Sequence, residues 1–186
     1  MTPTPDISIA NVKTLESKIV YQNKWMTVRE DVVQRENGTT GIFGIVEKPD
    51  FAVIAAIENG NVCLVEQHRY PVGSRFWELP QGSWESTSIS ACDLAKAELR
   101  EETGIISHSM EHVGHLFLAY GYSDQGYDVF MASALEHASQ DLDTEEHGLA
   151  ARFFSISDVE SMIVEGRIKD ATTVAAFGLL RLRKKI

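Results

Sequence analysis

Positive charge is in short supply in this chain. Lysine and arginine number 17 against 27 aspartates and glutamates, a formal net charge of -10 at pH 7. A basic footprint for a phosphate backbone is missing, which argues against nucleic acid as a partner. Cysteine is almost absent too. Cys63 and Cys92 are the two present, and neither lies in a CxxC pair, so no thiolate zinc site is readable. Cys63 stands in the apolar run Val62-Cys63-Leu64-Val65 and reads as a small buried strand residue. No stretch approaches ~18 consecutive apolar residues, so no membrane span is expected. The opening MTPTPDISIA has no basic n-region followed by an apolar h-region, and a reduced, cytoplasmic setting is the expectation. Neither GxGxxG after a strand nor GxxxxGK[ST] occurs, which removes two common nucleotide-binding readings. His108 and His112 have i, i+4 spacing, but Glu111 is not placed as in HExxH and the segment reads as strand.

What is present is ordinary globular material. The chain has 186 residues, 44% hydrophobic and 24% charged, enough for one domain with a small appendage. Residues 1–12 are polar and proline-containing and read as a loose tail. Residues 13–47 read as a small antiparallel unit, with strands at Lys18–Tyr21, Trp25–Val33 and Thr40–Val46 and a hairpin turn at Asn37-Gly38. Residues 48–186 read as the main domain. Phe51–Ile57 and Asn61–Glu66 form a second hairpin, rich enough in Val, Ile and Ala to be buried on both faces. Phe76–Leu79 is a short strand stopped by Pro80, and a Gly- and Ser-rich loop follows. A helix over Ser90–Thr103 ends at Gly104. Strands near Glu111–Leu118, Tyr127–Ser133 and Ala150–Phe154 come next, with an acidic loop, Gln140–Glu146, before the last of them. Ser157 with Glu160 suggests a capping box for a helix stopping at Gly166, and a final helix runs from about Thr172 to Lys184. Strands before, between and after helices imply an α/β (α+β) sandwich: helices on both sides of a mixed sheet, plus the N-terminal β-unit.

The helix over Ser90–Thr103 carries the chemistry. At roughly 100° per residue, Glu98, Glu101 and Glu102 fall within an arc of roughly 100°. Ala91, Leu94 and Ala95 share that face, while Lys96 and Arg100 point away from it. An acidic run is ordinarily a solvated face, yet here the glutamates avoid the polar side. Like charges at i, i+3 and i+4 repel, and burying them unpaired is costly. A hard divalent cation, Mg²⁺ or Mn²⁺, resolves both problems, because such ions take oxygen ligands and keep waters and substrate phosphates in their shell.

The segment Trp77-Glu-Leu-Pro-Gln-Gly82, followed by Glu98-Leu-Arg-Glu-Glu-Thr-Gly-Ile105, resembles the Nudix box and the strand leading into it. The resemblance extends over about residues 13–185. The Gln67-His-Arg69-Tyr-Pro-Val72 and Gly121-Tyr-Ser-Asp124 segments are similar to the ADP-ribose pyrophosphatase and NDP-sugar hydrolase branch. That resemblance implies divalent-metal-dependent hydrolysis of the pyrophosphate in a nucleoside diphosphate derivative, with ADP-ribose or another NDP-sugar as first choice. It implies Glu98 and Glu102 as main metal ligands, Glu101 as a third ligand or water-orienting carboxylate, and the Gln81 carbonyl as a backbone ligand. It implies Glu145 or Glu146 as the general base, Arg69 in contact with the substrate's phosphates or ribose, and Glu78 near the substrate or metal. Glu78 is alternatively the partner of an arginine such as Arg69 or Arg75. A homodimer built through the N-terminal strands is implied as well.

Three positions depart from the family pattern. Ala97 stands where an arginine precedes the first helical glutamate. The loop after Gly82 is one residue longer, with Ile89 or a neighbour in place of an acidic residue. Ile42-Phe43-Gly44 lacks the basic residue common before Val46-Glu47. The alternative these raise is a catalytically impaired Nudix-fold domain that binds a ligand in a regulatory role.

Overall fold

The first six residues of strand β4 (Phe51–Glu58) are all buried, and this strand organises the larger part of the chain. Alternation sends Ala52, Ile54 and Ala56 to one core and Phe51, Val53 and Ala55 to another. The structure, a computed structural model, describes residues 12–83, 89–140 and 148–186. The chain divides into one unit made of Met1–Lys48 with Phe117–Gln125 and another made of Pro49–Leu116 with Gly126–Ile186.

In the larger unit β4 is followed by β5 (Asn61–Arg69), a 3₁₀ turn at Tyr70–Val72, β6 (Ser74–Glu78), β7 (Gln81–Ser83) and helix α1 (Ala91–Thr103). Then come β8 (Ile105–Phe117), β9 (Gly126–His137), β10 (Ala150–Ser155), α2 (Ile156–Val164) and α3 (Ala171–Leu182). The sheet order is β10-β5-β4-β9-β8, with β6 added to β5 and β7 added to β4. β4 and β9 are parallel while β5, β6, β7 and β10 pair antiparallel, so the sheet is mixed. Leu94, Ala95 and Leu99 of α1 fill the core on one face. Val159 and Met162 of α2, with Ala176, Phe177 and Leu180 of α3, fill the other. This is the α/β/α sandwich that the element pattern implies.

In the smaller unit β1 (Val12–Gln22), β2 (Thr27–Arg35) and β3 (Thr40–Glu47) form an antiparallel three-stranded sheet. Ser123 adds to it, bridging to Val46 and donating its hydroxyl to the Val46 carbonyl at 2.6 Å. Within it Asp31 is buried, accepting from Ser17 Oγ at 2.6 Å with Arg29 at 3.2 Å.

Several boundaries differ from the sequence reading. Val12, read as tail, is the first residue of β1, which runs for 11 residues. Every side chain of β1 is exposed and two register shifts interrupt its pairing, so no alternating pattern marks it. The β2–β3 turn is not a two-residue Asn-Gly turn. Arg35 N–H bonds the Thr39 carbonyl across a longer loop, Gly38 alone takes a positive φ (79°), and the Asn37 side chain accepts from Thr39 N–H. β7, read as loop, is too short to show a period and exists because it pairs with β4. β8 begins at Ile105, directly after the helix, several residues before the expected Glu111. The cap of α2 is Ser155 with Asp158, the same spacing two residues upstream of Ser157 and Glu160. α3 ends at Leu182 and is capped by Asp170. Of its basic end, Arg181 pairs with Glu160 and Lys185 with Glu111.

Candidate functional site

Helix α1 is fixed at both ends by local chemistry. Ser90 caps its start, accepting from Asp93 N–H, and Gly104 ends it in the left-handed region at φ 70°. A Cβ at Gly104 would collide with the Ala138 carbonyl, so glycine is required there. The rotation that buries Leu94, Ala95 and Leu99 carries Glu102 inward with them. Glu102 is 1% exposed, Glu98 and Glu101 are half-buried, and Lys96, Ala97 and Arg100 are exposed. The acidic face is therefore the inner face.

Two of these glutamates meet β7. The Gln81 N–H donates to Glu102 Oε2 at 3.2 Å. Gly82 lies so close to Glu98 that a Cβ built on it would overlap the Glu98 carboxylate. Gln81 and Gly82 stand opposite Val53 and Ala52 of β4, so the pairing that creates β7 also sets the backbone the carboxylates face. The Glu102 charge also acts on β5. The Cys63 thiol is pushed up to about 12 by burial and then by this carboxylate, which makes Cys63 an inert core residue.

The other end of the site is the last residue of β6. Glu78 is 2% exposed and pairs across from Val65. Its neighbour Trp77 packs into the core beneath α2 and α3, so alternation directs Glu78 to the α1 side. Arg69 grips it with both arms of its fork, Nε at 3.1 Å from Oε2 and Nη2 on Oε1. Gln67 Nε2 donates to Oε1 at 2.7 Å. Burial raises the Glu78 pKa above its ordinary value, and the Arg69 hydrogen bond and charge oppose that rise. Of the two arginines considered, the partner is thus Arg69; Arg75 pairs instead with Glu66 and the Gly148 carbonyl.

Arg69 and Glu78 thus stand on the paired strands β5 and β6, while Gln81, Glu98, Glu101 and Glu102 stand on β7 and α1, which meet each other; Leu79 and Pro80 join β6 to β7. Glu145 and Glu146 lie outside the described residues, as do residues 84–88 of the box loop. His108 and His112 pair with Glu136 at 3.1 Å and Asp128 at 2.8 Å. Among the described residues no group of three His, Cys, Asp or Glu side chains is gathered for a metal, and no helix is long and apolar enough to cross a membrane.

Sequence reasoning missed Gln67 as a partner of Glu78, although it shares strand parity with Arg69. It also missed Thr173, which is fully buried and whose hydroxyl accepts from Leu79 N–H at 2.9 Å. The Asp170-x-x-Thr173 spacing is a readable helix-cap signature, but nothing in it points to Leu79.

Residues 48–177 match the NUDIX domain family model, and residues 12–46 match that of the nucleoside diphosphate sugar hydrolase N-terminal domain. An ADP-ribose pyrophosphatase of Mycobacterium tuberculosis (strain ATCC 25618 / H37Rv) is 27% identical over 165 residues, covering 88% of this chain and 80% of that protein. A methanol dehydrogenase activator of Bacillus methanolicus is 27% identical over 176 residues, 94% of this chain and 95% of that one. An ADP-ribose pyrophosphatase of Bacillus subtilis (strain 168) is 25% identical over 177 residues, with coverage of 94% and 95%. The crystal structure of an ADP compounds hydrolase superposes with a TM-score of 0.85 at 19% identity, covering 96% of each chain. With more than half its length in the domain match and the α1 carboxylates set against Gln81-Gly82, the chain belongs to the Nudix hydrolase family.

Proposed function

We propose that this protein hydrolyses the pyrophosphate linkage of a nucleoside diphosphate derivative, ADP-ribose or another NDP-sugar, with Mg²⁺ or Mn²⁺ as cofactor. The observation that carries this reading is the placement of Glu102 and Glu98 on the Gln81-Gly82 backbone. The donors there are all oxygens, suited to a hard cation, and a glycine is needed to seat the Glu98 carboxylate. Two carboxylates and a backbone carbonyl, rather than a closed cage of three side chains, match a Mg²⁺ site that is completed by substrate phosphates. Glu98, Glu102 and the Gln81 carbonyl would hold the ion, with Glu101 as further ligand or water-orienting group. The bound ion would neutralise phosphate charge and acidify a water.

The chain's own residues do the rest. Arg69, 40% exposed with Nε and Nη2 committed to Glu78, offers its remaining guanidinium edge to a phosphate. Glu78 serves that contact by holding the fork in place. Glu145 or Glu146 is the proposed base for the attacking water, a reading that rests on the family resemblance. The names of the two pyrophosphatase relatives support the substrate class. We also propose a homodimer through the β1–β3 unit. That unit exposes Ile19 (57%) and Ile42 (65%), apolar surface that a second copy would cover. Two free cysteines fit a cytoplasmic setting.

A second reading, a regulatory domain without turnover, draws on Ala97, which is exposed and cannot orient a carboxylate, and on the relative named methanol dehydrogenase activator. A panel of ADP-ribose, other NDP-sugars and dinucleotides, assayed with and without Mg²⁺ or Mn²⁺, separates the two. The expected result is metal-dependent release of a nucleoside monophosphate and a sugar phosphate. Metal-independent ligand binding with no turnover on any member would favour the regulatory reading.

A further inference from the structure

The stretch from Glu78 to Gly82 joins the two ends of the site, so its placement controls both. Its backbone is tied on three sides. The Pro80 carbonyl accepts from Ile54 N–H at 2.9 Å, which anchors the stretch to β4. The Gln81 N–H goes to Glu102. Pro80 has no N–H to contribute, and the Leu79 N–H leaves toward the opposite face of the sheet, to Thr173. The Thr173 hydroxyl donates its single proton to Asp170 Oδ2 at 2.7 Å, and Asp170 also accepts from Thr173 N–H at 2.8 Å. With the proton committed to a carboxylate, an oxygen lone pair faces Leu79, and the direction of the bond is fixed. Capping α3 requires only the bond from Thr173 N–H to Asp170; the tie to Leu79 is additional.

We propose that Thr173, backed by Asp170, is a positioning residue for the cation site. From the α2/α3 side of the sheet it fixes the Leu79 N–H, and through it the Gln81 carbonyl and the Gly82 seat of Glu98. This proposal rests on the metal reading above.

The test measures Mn²⁺ binding to substrate-free protein by the electron paramagnetic resonance signal of the free ion, with thermal melts alongside. Thr173→Val keeps the volume and removes the acceptor; Thr173→Ser keeps the hydroxyl. Leu180→Val trims the same core elsewhere on α3. Thr173→Val should weaken Mn²⁺ binding by about 10-fold, the lower end for loss of an outer-shell partner. Thr173→Ser should bind like the wild type, and Leu180→Val should lose thermal stability but not Mn²⁺ affinity. Wild-type affinity in Thr173→Val, or equal weakening in Leu180→Val, would overturn the proposal. Amide exchange in the wild-type protein gives an independent check that does not depend on how a variant folds. The Leu79 amide should be among the slow ones, and exchange as fast as an open strand edge would contradict the tie. If the wild type itself binds no Mn²⁺, the metal reading fails and the proposal falls with it.

Discussion

In the three-stranded unit, the buried carboxylate of Asp31 is met by a hydroxyl from β1 and a guanidinium from its own strand, Ser17 and Arg29. In the seven-stranded unit, Glu78 is met by a guanidinium and an amide, Arg69 and Gln67; Glu102 accepts from the Gln81 N–H and Glu98 lies against Gly82. The two units also treat apolar surface differently. The larger one buries β4 completely over six residues, whereas the smaller leaves all of β1 and half of β3 open. The smaller pairs its buried Asp31 and leaves Ile19 and Ile42 exposed, the surface through which the dimer is proposed. The larger buries its central strand and sets two carboxylates of α1 on the backbone of β7, the corner where the cation is proposed.

Substitutions can break this contrast at each point. The largest effect is expected at Glu102. Glu102→Gln keeps shape and most packing, so the fold should persist while turnover falls by orders of magnitude. Steady-state rates with a circular dichroism melt check both halves, and near-wild-type turnover would remove Glu102 from the metal site. An intermediate effect is expected in the smaller unit, where Ile42→Glu places a charge on the open face of β3. Light scattering should show the proposed dimer shifting to monomer at micromolar concentrations, with the fold of the larger unit unaffected; a wild type that is itself monomeric would end the dimer proposal.

The smallest effect concerns Glu78. Its folded pKa is raised above the ordinary 4.5 by burial, so the folded protein binds this proton more tightly than the unfolded chain. The group therefore adds stability as pH falls toward that ordinary value and withdraws it as pH rises through the folded pKa. Denaturant melts across this acid range should show the trend in the wild type and a flatter dependence in Glu78→Gln. An unchanged slope in the variant would assign the pH dependence to other groups.

How much of this could be read beforehand depended on burial. α1, with its capping serine and terminal glycine, and β4, apolar on both faces, announced themselves because each buries a regular pattern. The inward turn of Glu98, Glu101 and Glu102 followed from helix geometry and from the apolar residues beside them. β1 was invisible over half its length because none of its side chains is buried. β7 was invisible because three residues carry no period. The α2 cap was misplaced by two residues because Ser155-x-x-Asp158 and Ser157-x-x-Glu160 present the same signature. The ties from Gln67 to Glu78 and from Thr173 to Leu79 span 11 and 94 residues of sequence, and only the register of β5 with β6 and the docking of α3 bring them together.

Direct binding tests, without reference to any substrate, whether the α1 carboxylates and the Gln81-Gly82 backbone make the one cation site proposed above. Isothermal titration of Mn²⁺ into the wild type, Glu98→Gln, Glu102→Gln and Gly82→Ala should show binding in the wild type, strong loss in both glutamine variants, and weakening of about 10- to 100-fold in Gly82→Ala through displacement of Glu98. Mn²⁺ binding that is unchanged in all three variants would place the ion elsewhere and contradict the account.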